Sequence, residues 1–143
     1  MTYPLHVILR FELEVELIEG KLAVKDLPKA WNKKMEDLLG ITPPNDAQGC
    51  LQDIHWSMGS FGYFPTYTLG NIYAAQLFLQ FEKEHPQWSE EVEKGSLKFI
   101  RHWLKENVHR YGMQYRGKEL LEKITGKKVT EVPYLEYLKK KFL

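Results

Sequence analysis

The sequence predicts an all-α protein with one aromatic loop or small hairpin near its middle. Three observations carry that prediction. Apolar residues recur at helical spacing, as in Leu5, Leu9, Leu13 and Leu17, and again in Leu27, Trp31, Met35 and Leu38. Glycines stand where such stretches stop, at Gly20, Gly40 and Gly95. The segment 66–84 is apolar on almost every face and too long for an ordinary strand. No internal repeat interrupts the pattern, so 1–143 reads as a single helical region.

Residues 2–19 carry two competing signals. Phe11 to Leu17 alternates with period two, which suits a half-buried strand, whereas the leucines fall at i, i+4. Leu and Glu are good helix formers, and Gly20 is a plausible stop, so the segment is assigned to helix. Asp26-Leu27-Pro28 reads as the cap and first turn of a second helix that runs to Leu39. Thr42 to Asp46 is a loop by composition. A helical turn then leads into Gly49-Cys50-Leu51-Gln52-Asp53-Ile54-His55-Trp56, and Ser57 to Pro65 reads as extended or turning. There the alternation of Phe61 and Tyr63 suits a short strand or hairpin.

The helix from Thr66 to about Glu84 has hardly any polar face and is expected to be buried on most sides. His85-Pro86 ends it. Ser89-Glu90-Glu91 opens a short helix that Gly95 breaks, and Ser96 is expected to cap a longer one reaching about Tyr111. Residues 117–125 and 131–141 supply two last amphipathic helices.

Composition sets the outer bounds. A chain of 143 residues, 43% hydrophobic and 27% charged, is ordinary for a folded domain, which argues against wholesale disorder. Twenty basic residues against nineteen acidic ones leave a net charge of +1 and no field to steer nucleic acid. The single cysteine excludes an internal disulfide and fits a reducing compartment. There is no signal-peptide pattern and no run of about eighteen apolar residues, so no membrane partner and a cytoplasmic location are expected.

Several residue sets invite a chemical reading and are better explained blandly. His102, Glu106 and His109 share one helix face at metal-ligand spacing, but that face lies opposite the apolar stripe and should meet water. His6 is read as a core histidine. The acidic alternation of Glu12, Glu14, Glu16 and Glu19 is read as solvent-facing or paired with neighbours such as Arg10. Cys50 has no histidine at a motif spacing and is read as an inert thiol.

The stretch from Gly49 to Tyr67 is different. It gathers a carboxylate, an imidazole, a carboxamide, an indole, glycines and two phenols, a mixture that local structure seldom needs. Gly49, Gln52, Asp53, His55 and Trp56 spell G-x-x-Q-D-x-H-W, which resembles a characteristic motif of the Taq-type metallocarboxypeptidases. Thr2-Tyr3-Pro4-Leu5-His6-Val7-Ile8-Leu9-Arg10-Phe11-Glu12 extends the likeness, which covers essentially the whole chain. The resemblance implies a C-terminal piece of a much longer, mostly α-helical metallopeptidase that releases C-terminal residues from peptides. It further implies zinc or another divalent metal in the full-length enzyme. The family's H-E-x-x-H helix, later glutamate and I-R-x-x-A-D motif are absent from this sequence, so the chain alone is expected to bind no metal and to be inactive.

By the same resemblance His55 and Tyr67, with Tyr63 as the rival phenol, are the catalytic candidates on the oxyanion side. Asp53 is a candidate to orient an imidazole, and Gly49, Gln52 and Trp56 hold motif positions. The implied partners are peptide substrates, the missing N-terminal region of the same enzyme and, at full length, a second copy in a homodimer. A stand-alone, non-catalytic α-helical domain that binds another protein is the alternative, since it would need no metal ligands.

Overall fold

Helix α1, Tyr3–Ile18, carries Pro4 in its first turn, where a missing N–H costs nothing. Gly20, at φ 70°, follows its end and turns the chain. These are features of a computed structural model that describes residues 2–143. Helix α2, Leu27–Leu39, likewise begins with a proline in its first turn and stops at Gly40, whose left-handed backbone returns its N–H to the Glu36 carbonyl. Asp26 does not cap α2 through its side chain. It closes a short 3-10 turn, Val24–Asp26, that feeds the helix directly.

Then come 3-10 turns at Cys50–Gln52 and Trp56–Met58, followed by α3 (Pro65–Glu84), α4 (Trp88–Glu93) and α5 (Lys98–Asn107). A 3-10 turn at His109–Tyr111, α6 (Gly117–Thr125) and α7 (Val132–Phe142) complete the chain. Among the described residues there is no strand, so the fold is all-α. Of the aromatic loop or small hairpin expected around Phe61 and Tyr63, the loop is what forms, as a run of turns. Gly59 and Gly62 both take positive φ, at 73° and 71°, which breaks any extended ladder. Ser96 does not cap the fifth helix either: α5 begins at Lys98, after Leu97, and gives way to the 3-10 turn before Tyr111.

The chain divides into two compact units, Met1–Leu69 and Gly70–Leu143, with the boundary inside α3. In the first, α1 and α2 pack together. Leu9 and Leu13 from one helix meet Trp31 and Met35 from the other, with Cys50 closing the cluster. Each pair sits at i, i+4, so both apolar stripes are continuous. Burying one such side chain is worth roughly 1.5–3 kcal/mol, which makes this cluster the first unit's main source of stability.

The second unit is centred on Phe81, Trp103 and Leu121. Phe81 stacks on Phe99 at 5.7 Å and meets Trp103 edge-on at 5.5 Å. The buried carboxamide of Gln76 accepts from the Thr130 amide and donates to the Lys128 carbonyl, which ties the turn after α6 to α3. Helix α3 is less covered than its composition suggests. Only Gln76 and Phe81 are fully buried in it, and Leu69 and Phe78 stay exposed. A long helix that is apolar all round has more apolar perimeter than the short helices of this unit cover. Among the described residues no helix is long and apolar enough to cross a membrane.

Candidate functional site

On α1, His6, Arg10 and Glu14 recur at i, i+4, i+8 and therefore line one face, beside the buried leucine stripe. That face looks at the loop between Gly49 and Tyr67. Arg10 Nε donates to Asp53 Oδ2 at 2.5 Å, and one of its terminal nitrogens donates to the His6 carbonyl at 2.8 Å. Glu14, 5% exposed, accepts from the Trp56 indole at 2.8 Å and from the Gly62 amide at 2.6 Å. One helix thus pins the loop at both ends of its sharpest turn.

Between those pins lies a four-membered polar chain. Asp53 Oδ1 accepts from the His55 amide at 2.9 Å and sits 2.7 Å from His55 Nδ1. His55 Nε2 lies 2.9 Å from the Tyr67 hydroxyl. The order Arg10, Asp53, His55, Tyr67 fixes the protons. Burial pushes the Asp53 carboxyl up, but the His55 amide, the Arg10 guanidinium and the His55 ring outweigh it and hold the group below the usual carboxylate range. An ionised carboxylate only accepts, so Nδ1 of His55 carries the hydrogen. In the neutral ring Nε2 is then bare and accepts from the Tyr67 hydroxyl. Burial, and then the Tyr63, Tyr3 and Asp53 oxygens, push the Tyr67 phenol up, so it keeps its proton at neutral pH.

These groups open onto a cavity of about 350 Å³ lined by Tyr3, His6, Arg10, Asp53, His55 and Tyr67. A larger groove, about 560 Å³, lies in the second unit between α3 and α7, but its lining of Ala75, Phe78, Leu79, Pro133 and Tyr137 brings no imidazole. Chemistry, not size, selects the smaller cavity. His6, far from being a core histidine, is half-buried on the cavity wall; burial, then Arg10, lowers its basicity.

Over residues 1–142 the chain matches the family described as Carboxypeptidase Taq (M32) metallopeptidase. The chain belongs to this family. It is 44% identical over 143 residues to thermostable carboxypeptidase 1 of Pyrococcus furiosus, covering 100% of this chain and 29% of that protein. It is 42% identical over 142 residues to carboxypeptidase 1 of Bacillus subtilis, covering 99% and 28%. The crystal structure of an M32 carboxypeptidase from Deinococcus radiodurans R1 superposes with a TM-score of 0.94 at 44% identity, covering 99% of this chain and 29% of that one. The chain therefore spans under a third of the length of these carboxypeptidases.

Within this metallocarboxypeptidase segment the motif residues do not share one place. Asp53, His55 and Tyr67 are brought together in one hydrogen-bonded chain. Tyr63 is partly exposed; its ring stacks near His55 at 6.0 Å and meets Tyr67 edge-on at 5.3 Å, while its hydroxyl does not enter that chain. Trp56 supports the loop from beneath, edge-on to Trp31 and Phe64. Gly49 is needed for space, since a Cβ there would come within 3.2 Å of the Asn45 carbonyl oxygen. Gln52 is exposed and stands apart from the cavity. Arg10 and Glu14 lie 43 and 48 residues from their loop partners, a separation that no local pattern reports.

The segment's own residues do not fit a metal. Among the described residues no group of three His, Cys, Asp or Glu side chains is placed to hold one. Both Asp53 oxygens and both His55 ring nitrogens already have partners, and a guanidinium beside Asp53 opposes a cation. His102 and His109 are exposed, and Glu106 pairs with Arg110.

Proposed function

We propose that this chain is one part of a metal-dependent carboxypeptidase that releases residues from peptide C-termini, and that it supplies oxyanion-side groups and one wall of the cleft. The observation that carries this reading is the His55–Tyr67 hydrogen bond, aimed into a cavity and held from behind by Asp53. The metal, which we take to be zinc, is assigned to residues outside this chain. The remaining part of the same enzyme is its first partner, peptides are its substrates, and the complete enzyme is read as a cytoplasmic homodimer.

The pair works through one hydroxyl proton. At rest Tyr67 donates it to His55 Nε2. A hydroxyl hydrogen rotates freely about its C–O bond, so the same proton can turn to a carbonyl oxygen as negative charge grows there. His55 adds a second donor only when its ring takes up a proton at Nε2. Interactions that strengthen as charge develops raise kcat more than they lower KM.

Tyr67→Phe and His55→Ala, made in the full-length enzyme, test this. Tyr67→Phe is expected to lower kcat by about 10²–10³, the usual cost of one preorganised donor, and His55→Ala by up to as much, since it removes both the partner of that hydroxyl and the donor its protonated ring would supply; KM, metal content and melting temperature should change little. Tyr63→Phe should cost much less. Damage confined to Tyr63→Phe would move the role to the other phenol. Near-wild-type kcat in His55→Ala would return the stretch to an aromatic core element and favour a non-catalytic interaction domain.

A further inference from the structure

Of the three catalytic candidates, Tyr63 is the one that the hydrogen-bonded chain leaves out. Its hydroxyl makes no bond in that chain, and 48% of the residue is exposed. A lone exposed ring is ordinary on a protein surface and by itself means little. This one is held firmly. The Gly62 amide before it donates to Glu14 at 2.6 Å. Its own carbonyl accepts from the Thr66 amide at 3.0 Å and from the Thr66 hydroxyl at 2.7 Å. Phe64 after it is buried. The backbone is thus fixed on both sides, and the ring is laid against the site. It lies near-parallel to the His55 ring, at 6.0 Å and 28°, and edge-on to Tyr67 at 5.3 Å. One face is turned to His55, and the other is open.

We propose that the Tyr63 ring is a substrate-binding platform: a flat apolar side chain of the peptide stacks on it, and that side chain belongs to the residue whose carbonyl is attacked. This rests on the reading of Tyr67 as the donor to that carbonyl. Reach decides which residue is read. A carbonyl carbon lies two bonds from the Cβ of its own residue, and three from the Cβ of the residue to be released. The Tyr63 and Tyr67 rings are only 5.3 Å apart, so a carbonyl at the Tyr67 hydroxyl brings the nearer side chain within reach of Tyr63. Two aromatic rings attract through their quadrupoles beyond the area they bury. A platform whose backbone is fixed beforehand loses little freedom on binding.

The test compares substrates within each enzyme. N-blocked peptides with a constant last residue carry Phe or Ala before it, and kcat/KM is measured on the full-length enzyme. Wild type is expected to prefer Phe. In Tyr63→Ala that preference should shrink by about twofold to tenfold, the range for one aromatic pair. Any loosening of His55 lowers both substrates alike and cancels in the ratio, as does an unfolded fraction. Tyr63→Phe keeps the ring and should keep the full preference.

A second variant covers the case in which Tyr63→Ala does not fold. Tyr63→Leu keeps apolar bulk without a flat ring and should keep only part of the preference. Equal losses with the two peptides in Tyr63→Ala, or in Tyr63→Leu, would make the ring mere packing for His55 and overturn the proposal. So would a wild type that does not prefer Phe, or a preference lost in Tyr63→Phe. A second series varies the released residue between Phe and Ala, and there Tyr63→Ala should leave the ratio unchanged. A preference that follows Tyr63 only in that series overturns the assignment. Should Tyr67→Phe leave kcat intact while the preference still follows Tyr63, the oxyanion role fails and the platform stands.

Discussion

In residues 2–69 the polar side chains on the inner face of α1 end on the loop that carries Asp53 and His55 and leads to Tyr67 in the first turn of α3, whereas in residues 70–143 the buried carboxamide of Gln76 only closes a turn between helices. The first unit's core is mostly aliphatic around Trp31, and the second is built on Phe81 and Trp103. The difference lies in what their polar groups are attached to. Indoles in the second unit find carboxylates near the end of α3, as Trp103 of α5 does with Glu84, 19 residues away, and Trp88 of α4 with Glu82, six away. Trp56 reaches a carboxylate 42 residues away, and that carboxylate also holds a glycine amide of the loop. What separates the units is where the long-range pairing ends: in the first on a loop whose side chains line a cavity, in the second, across 52 and 54 residues, on the turn after α6.

Glu14→Ala should break that comparison most severely. It removes the carboxylate to which the half-buried Trp56 indole N–H and the Gly62 amide both donate, and at roughly 1.5–3 kcal/mol for a hydrogen bond to a charged group, offset by water reaching the exposed Gly62, the expected loss is about 3 kcal/mol in urea unfolding. Glu12→Ala, two residues away on the same helix, removes only an exposed partner of Lys34 and should leave the unfolding midpoint unchanged. Equal losses for the two variants would mean that the loop is not pinned by α1.

That contrast also shows what could be read from the sequence. On a helix, residues two apart point in nearly opposite directions, while those four apart share a face. Glu12 and Glu16 therefore converge on Lys34, and Glu14 turns inward alone. The helices themselves were legible because periodicity, glycines and prolines are local: α1, α2 and α6 run as the pattern predicts. Asp26 and Ser96 misled because capping depends on the backbone at which a helix is entered: α2 is entered through a 3-10 turn that ends at Asp26, and α5 starts one residue later than expected, after Leu97. Period two in Phe61 and Tyr63 leaves loop and hairpin both open, and the two left-handed glycines beside them decide for the loop. Asp53, His55 and Tyr67 were legible as motif letters, but their order in a hydrogen-bonded chain, and the part of Arg10 in it, appear only when α1 is laid against the loop.

Gln76→Ala comes next in size. It removes the partner of the Thr130 amide and the Lys128 carbonyl, for an expected loss of about 2 kcal/mol from two part-buried hydrogen bonds. Because that clamp aims nothing at the first unit's cavity, kcat of the full-length enzyme should not change. A fall in kcat without loss of folded enzyme would erase the distinction between the two units.

Acid should separate them more gently. The Asp53 carboxyl titrates below its ordinary value, so its contribution is present above the unfolded carboxylate range and is lost as pH falls through the folded pKa. His6 is also depressed, and a base that prefers to stay neutral in the fold destabilises it as pH falls below the ordinary histidine range. Both shifts point the same way, and both groups lie in the first unit. A pH series of melting temperatures should decline toward acid, first through the histidine range and then through the carboxylate range. The lower limb should flatten in Asp53→Asn, and an unchanged lower limb would put the acid sensitivity elsewhere.

The claim that Tyr67 donates to a developing oxyanion is tested most directly with a phosphinic peptide, whose tetrahedral oxygens mimic that charge. Its inhibition constant is measured on the full-length enzyme and on Tyr67→Phe, beside kcat/KM for the matching peptide. A group that acts in the transition state should weaken the inhibitor by the same factor as it lowers kcat/KM, about a hundredfold or more, with KM nearly constant. An inhibition constant that does not move, while kcat/KM falls, would show that the hydroxyl serves something other than the oxyanion.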